Sequence, residues 1–166
     1  MKKVLSLILI FSCFLSFAQF NSDESISLEM SEENWLKVDR VLSLSTPDSI
    51  STIKPLDVLR YLASEKYLSE SNIKSVKYIF PKSWISKNDV EILMCFVSET
   101  KPSKHIQHSW SATASPEFST VGFEAMRLIK LFTIPNYRYP KVNACFEFDK
   151  PQSELAKEVQ IWWKNQ

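Results

Sequence analysis

His105 and His108 are the only histidines in the chain and stand in the pattern H-x-x-H within KHIQHSWSATA. On a helical turn that spacing aligns two imidazoles as metal ligands, whereas on an extended segment it sends them to opposite faces. A metal centre would need further donors such as Glu117 or Glu124, and no spacing marks them out. The competing reading packs one imidazole beside Trp110 and leaves the other in water. No metal or other cofactor is therefore expected, with His105 and His108 as the weak candidates.

Nucleophile chemistry fares no better. Ser-x-x-Lys occurs three times, at Ser51 to Lys54, Ser71 to Lys74 and Ser98 to Lys101. A chain with 24 serines and 16 lysines produces such matches by chance, and the Lys-Thr-Gly strand of penicillin-recognising enzymes is absent. Ser109 or Ser111, His108 and Asp149 can be written as a triad, but no strained nucleophile turn supports it. Carboxylates pair as Glu32 with Glu33 and Glu147 with Asp149, the residue types of glycoside hydrolysis. The first pair is explained by the positive end of a helix, the second by the wet side of an extended segment.

A different chemistry, recognition, is suggested by IPNYRYPK. Tyr137, Arg138 and Tyr139 lie between Pro135 and Pro140, and Tyr and Arg are the types enriched in interface hot spots. Flanking prolines lower the entropy lost when such side chains are held in place. The alternative is that both tyrosines cover a core edge. The Ser/Thr-rich stretch 109–120, which carries Trp110, reads either as lining the same surface or as ordinary loop and cap residues. The candidate binding set is thus Tyr137, Arg138, Tyr139, Trp110 and Gly122.

The elements that must position these residues are mostly helical. MKKVLSLILIFSCFLSFAQ reads as a secretory signal peptide, with Lys2 and Lys3 before an apolar run and Ser16-Phe17-Ala18 at the cleavage site. Cys13 invites a lipoprotein reading, disfavoured by bulky Phe11 and by the apolar residues that follow. Cleavage after Ala18 leaves 148 of the 166 residues, with 18 basic side chains (the 20 less Lys2 and Lys3) against 19 acidic, a formal charge of −1. That size suits one domain, and the near-neutral balance disfavours nucleic acid as a partner. No later stretch is apolar enough to span a bilayer. Of the two remaining cysteines, Cys95 in ILMCFV reads either as a buried thiol or as half of a disulfide with Cys145.

Residues 19–30 are expected to be a flexible lead-in, although Ile26, Leu28 and Met30 alternate as an extended segment along the body would. Residues 31–166 then form a single mainly α domain of packed helix pairs with one or two short strands. Ser31 caps a helix with Trp35, Val38 and Leu42 inward, and Pro47 interrupts. Pro55 opens a second with Leu56, Leu59 and Leu62 inward. A third starts at Ser71 or Asn72 and stops at Pro81. Ser86 to Asp89 cap a helix through VEILMCFV, apolar on nearly every side and therefore central. Helices over 120–133 and 152–164 complete the set, the last burying Leu155, Val159 and Trp162. Ile106 to Ala114 and Val142 to Phe148 alternate as short strands that can pair.

Gly122 is the single glycine, against eight prolines. That scarcity argues against a turn-rich β fold, and it excludes glycine-rich phosphate loops and dinucleotide fingerprints. In the first turn of a helix, glycine costs about 1 kcal/mol against alanine. It is explained by a bulky neighbour, such as a tryptophan, pressing on bare backbone, or by exposed amides receiving an anion. Val121, Ala125, Leu128 and Ile129 repeat the spacing of the second helix of HEAT-type repeats, with Gly122 where those often carry arginine. Residues 86–132 therefore resemble HEAT-type helical-repeat proteins, without a fixed internal period. The resemblance implies a scaffold that binds other proteins.

The function expected is an exported, non-enzymatic protein-interaction module of the adaptor, inhibitor or immunity type, in the periplasm or secreted. The alternative is a small periplasmic hydrolase or metal-dependent enzyme using the His105–Ser119 segment. Export is checked by mass spectrometry of the chain recovered from an envelope fraction, where the mature species should begin at Gln19. An unprocessed cytosolic species overturns it.

Overall fold

Helix-start chemistry sets the first elements. In the computed structural model, which describes residues 26–44, 46–69, 80–81, 83–104, 118–133 and 150–166, Asn34 N donates to Ser31 Oγ (3.3 Å). Helix α1 follows over Glu32–Leu44, burying Trp35, Val38, Val41 and Leu42. Ahead of it Ile26, Leu28 and Met30 lie half-buried against the core, as their alternation suggests. Pro47 does more than interrupt. Thr46 and Ser49 close a reciprocal capping box, and Pro47 sits first in the one-turn helix α2, Pro47–Ile50. Ile50, at its end, is fully buried.

Pro55 opens α3, Pro55–Leu62, as expected, and the short α4 follows at Glu65–Ser69. Val58, Leu59 and Leu62 of α3 have no solvent exposure, Tyr61 has 2%, and Leu56 is only half-buried. Burying each such aliphatic side chain contributes about 1.5–3 kcal/mol. Aromatic rings extend this core sideways. Tyr61 lies between Trp35 and Tyr67, with ring centroids 5.2 and 4.6 Å away. Their polar tips are satisfied: Trp35 Nε1 donates to Ser64 Oγ (2.9 Å) and Tyr61 Oη to Asp39 Oδ1 (2.7 Å).

Ser86 and Asp89 form the capping box of α5, Lys87–Met94. This helix is shorter and less central than its composition suggests. Glu91 and Cys95 are exposed and share an outward face with Lys87 and Ser98, while Val90 and Leu93 face inward. Phe96 and Val97 are buried from the turn that follows, and the Cys95 thiol is exposed rather than buried. Cys145 lies outside the described residues, and so does any pairing with it.

The central helix is α6, Val121–Thr133, which buries Val121, Gly122, Glu124, Ala125, Met126, Leu128 and Ile129. It packs on α3, α5 and the C-terminal helix α7, Gln152–Lys164. Two three-residue strands lead into it. Strand β1, Pro102–Lys104, pairs antiparallel with β2, Phe118–Thr120, placing Ser103 opposite Ser119. The strands thus flank the 105–117 segment in which alternation was read. That segment, the helix expected from Ser71 and the strand expected over 142–148 fall outside the described residues. Lys104 is 2% exposed, and its ammonium lies 5.5 Å from the Tyr67 ring centroid.

Seven helices and one two-stranded sheet make the described chain mainly α. None of its described helices is long and apolar enough to cross a membrane. One turn carries strain: Ser83 has φ 59°, in the left-handed region that serine adopts at a cost of about 1–2 kcal/mol. Glycine relieves that strain but loses about 0.5–1 kcal/mol through its freer unfolded state. Ser83→Gly is therefore expected to raise the urea midpoint slightly, read by circular dichroism. A lowered midpoint means the hydroxyl matters more than the backbone.

Candidate functional site

Gly122 marks a junction built from backbone. After α5 the chain doubles back so that Glu99 O accepts from Gly122 N (2.9 Å) and Lys101 O accepts from Val121 N (2.9 Å). Thr120 Oγ1 takes the next amide, that of Phe123 (3.2 Å). Three successive amides that a helix start leaves without intrahelical partners are thus satisfied. A Cβ added to Gly122 would stand 2.6 Å from Val97 O and 2.8 Å from Glu99 O, and would collide with the Gln152 amide. Close packing accounts for the glycine, and the neighbour is main chain rather than a tryptophan. The anion reading is overturned at this amide, whose hydrogen goes to Glu99 O.

Gln152, the first residue of α7, completes the junction. Its Nε2 donates to Glu99 O (3.0 Å) and Val97 O (3.3 Å), while its Oε1 accepts from Thr120 Oγ1 (2.5 Å). One amide side chain thereby ties α7 to the end of the α5 turn and to the start of α6.

From that tie the two helices diverge around an apolar groove of about 400 Å³. Helix α6 lines it with Phe123, Met126, Arg127, Lys130 and Thr133, a one-face stripe at helical spacing. Helix α7 faces it with Leu155, Glu158, Val159 and Trp162. Leu155, Val159 and Trp162 are only half-buried, in contrast to the burial expected of them, because the groove keeps part of each surface open.

Arg127 and Lys130 of α6 and Glu158 of α7 bring charge to the groove, and Arg127 and Glu158 have partners beyond it. Glu124 is fully buried on α6, with its Oε1 3.7 Å from Arg127 Nε. A carboxylate removed from water this completely requires compensating charge or hydrogen bonds. Across the groove, Glu158 Oε1 accepts from Lys150 Nζ (2.6 Å). That bond and the Glu158 charge, with Glu154 adding to them, hold the Lys150 ammonium above the usual lysine range. Raised in the fold, this group stabilises below the ordinary lysine pKa and loses that effect only as pH climbs through its raised value. The Lys150 ammonium is therefore charged at neutral pH, although a pair this exposed contributes little stability.

The sequence-derived candidates divide sharply. Gly122 is placed, in the junction just described. Tyr137, Arg138, Tyr139, Trp110, His105 and His108 lie outside the described residues, as do Ser109, Ser111, Glu117, Glu147 and Asp149. Among the described residues, no three His, Cys, Asp or Glu side chains gather to hold an ion. Of the serine-lysine pairs, Ser51 Oγ is engaged in closing its own turn, donating to Asp48 O (2.6 Å). Glu32 is exposed and pairs with Lys66 (3.4 Å), an ordinary surface contact.

The groove and Gln152 were not singled out in the sequence. A signal for the groove existed. The stripe Phe123, Met126, Arg127 and Lys130 runs beside Val121, Ala125, Leu128 and Ile129, giving α6 more than the single apolar face one neighbour requires. Gln152 had no such signal, because its partners are carbonyls 53 and 55 residues away in sequence.

Comparison of the chain with protein-family models, with curated proteins and with solved structures finds no match in any of the three.

Replacing glycine by alanine in an open helix stabilises by about 1 kcal/mol. At this junction Gly122→Ala is expected to do the reverse, by about 1–3 kcal/mol, because the obstructing atoms are backbone and have no rotamer to escape into. Urea denaturation followed by circular dichroism measures it. An unchanged or raised midpoint means the junction is looser than its distances.

Proposed function

We propose that the chain is an exported, non-enzymatic protein-interaction module of the adaptor, inhibitor or immunity type. The observation that carries the reading is the α6–α7 groove, with apolar side chains along both walls and Arg127 and Lys130 on one of them. Apolar anchors seated in a pocket within a charged rim are the usual geometry of interface hot spots.

The occupant that fits is an amphipathic segment of a protein partner. Two or three of its apolar side chains at i, i+3 and i+4 enter between Met126 and Val159. An acidic side chain on its flank meets the positive side of the rim. The helical scaffold is in keeping with the resemblance to HEAT-type repeats, whose role is to present surfaces to other proteins. Export belongs to the same proposal and rests on the N-terminal sequence pattern alone.

A pull-down from envelope extract tests the reading, with Val159→Glu and Lys130→Glu combined in one variant. Both side chains keep some solvent exposure, so the fold should survive, as circular dichroism will verify. Capture of the partner should fall at least roughly tenfold, the effect of losing about 1.4 kcal/mol of binding. Tyr137→Ala, Arg138→Ala and Tyr139→Ala, made together, test the sequence-derived surface in parallel. A wild-type chain that captures nothing removes the reading. Equal capture by the groove variant moves the site elsewhere.

A further inference from the structure

Helix α7 is attached unlike any other long helix of the described chain. Each of α1, α3, α5 and α6 packs on at least two other elements, while α7 makes its main packing with α6 alone. Of its thirteen residues only Ala156 is buried, whereas the equally long α6 buries seven. Its N-terminus has no side-chain cap: Pro151 occupies that position and makes no cap hydrogen bond. The groove keeps its apolar wall half-open to water. What fixes it at the near end is the Gln152 amide, through one acceptor and two donor contacts at 2.5, 3.0 and 3.3 Å.

We propose that α7 is a releasable strap latched by Gln152, which undocks as one unit while the rest of the helical core stays folded. Elements with little buried area and exposed hydrogen bonds open first, at free energies below that of global unfolding. Release uncovers the stripe Phe123, Met126 and Lys130 on α6, so the docked fraction of α7 sets how much of that face is accessible. The latch is polar, and the other contacts are a half-buried apolar wall around Ala156 and, at the far end, Trp163 edge-on to Phe132 (6.3 Å between ring centroids) and 5.8 Å from the Lys87 ammonium. Opening therefore sacrifices a few hydrogen bonds and little core. The inference goes beyond the interaction reading and requires no partner, so the two fail separately.

The test is hydrogen exchange by mass spectrometry on the full chain without partner, comparing wild type with Gln152→Ala and Gln152→Asn. In wild type, amides of residues 156–164 should exchange faster than those of 125–133 in α6 and 59–62 in α3. Gln152→Ala should accelerate the α7 amides by roughly tenfold or more, the effect of deleting several net-favourable hydrogen bonds. The α3 and α6 amides should keep their wild-type rates. Gln152→Asn retains the amide but shortens its reach, and should accelerate α7 likewise. Exchange of α7 at the α3 rate in wild type overturns the proposal. So does a Gln152→Ala variant in which every helix accelerates equally, since Gln152 would then be part of the common core.

Discussion

Main chain meets main chain where α5 hands over to α6, and the rest of the described fold is arranged around that contact. The carbonyls of Glu99 and Lys101 run into the first turn of α6, where helix amides have no partner of their own. Buried polar groups left unpaired cost about 1–3 kcal/mol each, so the approach must be close enough for hydrogen bonds to form. Only a residue without a side chain permits it. With Gly122 in place, Val121, Gly122 and Phe123 all find acceptors, and these bonds set the depth and direction at which α6 starts.

Fixing α6 fixes its neighbours. Its Val121, Ala125, Leu128 and Ile129 face is buried with Val58, Leu59 and Leu62 of α3 and with Val90 and Leu93 of α5 in one core cluster. A second face, Phe123 to Lys130, is left for α7, which covers it incompletely. Glu124 lies fully buried on the same helix, its charge held beside Arg127. Burial of an ion pair seldom adds net stability over an apolar pair, so this pair offsets the cost of burying Glu124 more than it strengthens the packing of α6. The outcome is a well-buried hub with one incompletely covered flank.

The hub's elements were legible because their causes are local. Ser31, Pro55 and the Ser86–Asp89 box announce helix starts through side-chain chemistry within three residues, and the three-four spacing of Trp35, Val38 and Leu42 names the inward face. Pro47 misled as a simple break, since Thr46 and Ser49 turn it into a helix start of their own. VEILMCFV is less central than its hydrophobicity implies, because Glu91 and Cys95 face water and the burial of Phe96 and Val97 belongs to a turn. The latch was illegible for a different reason. It depends on contacts of Gln152 with Val97 and Glu99, 55 and 53 residues away, which no local pattern encodes.

The use of the single glycine follows from comparing two costs. Among the described residues the one that adopts a left-handed backbone is Ser83, whereas Gly122 has no positive φ. A serine in that region costs about 1–2 kcal/mol, confined to one turn. A side chain at position 122 faces carbonyl oxygens at 2.6 and 2.8 Å that belong to the hydrogen bonds positioning α6, so its accommodation must move the hub itself. Strain in a peripheral turn is tolerated locally, but displacement at the junction propagates to α3, α5 and the Gln152 contact together. The placement of the glycine therefore has a physical explanation. This chain requires bare backbone for closeness of approach, at the position on which the packing of its central helix and the docking of its last helix both rest.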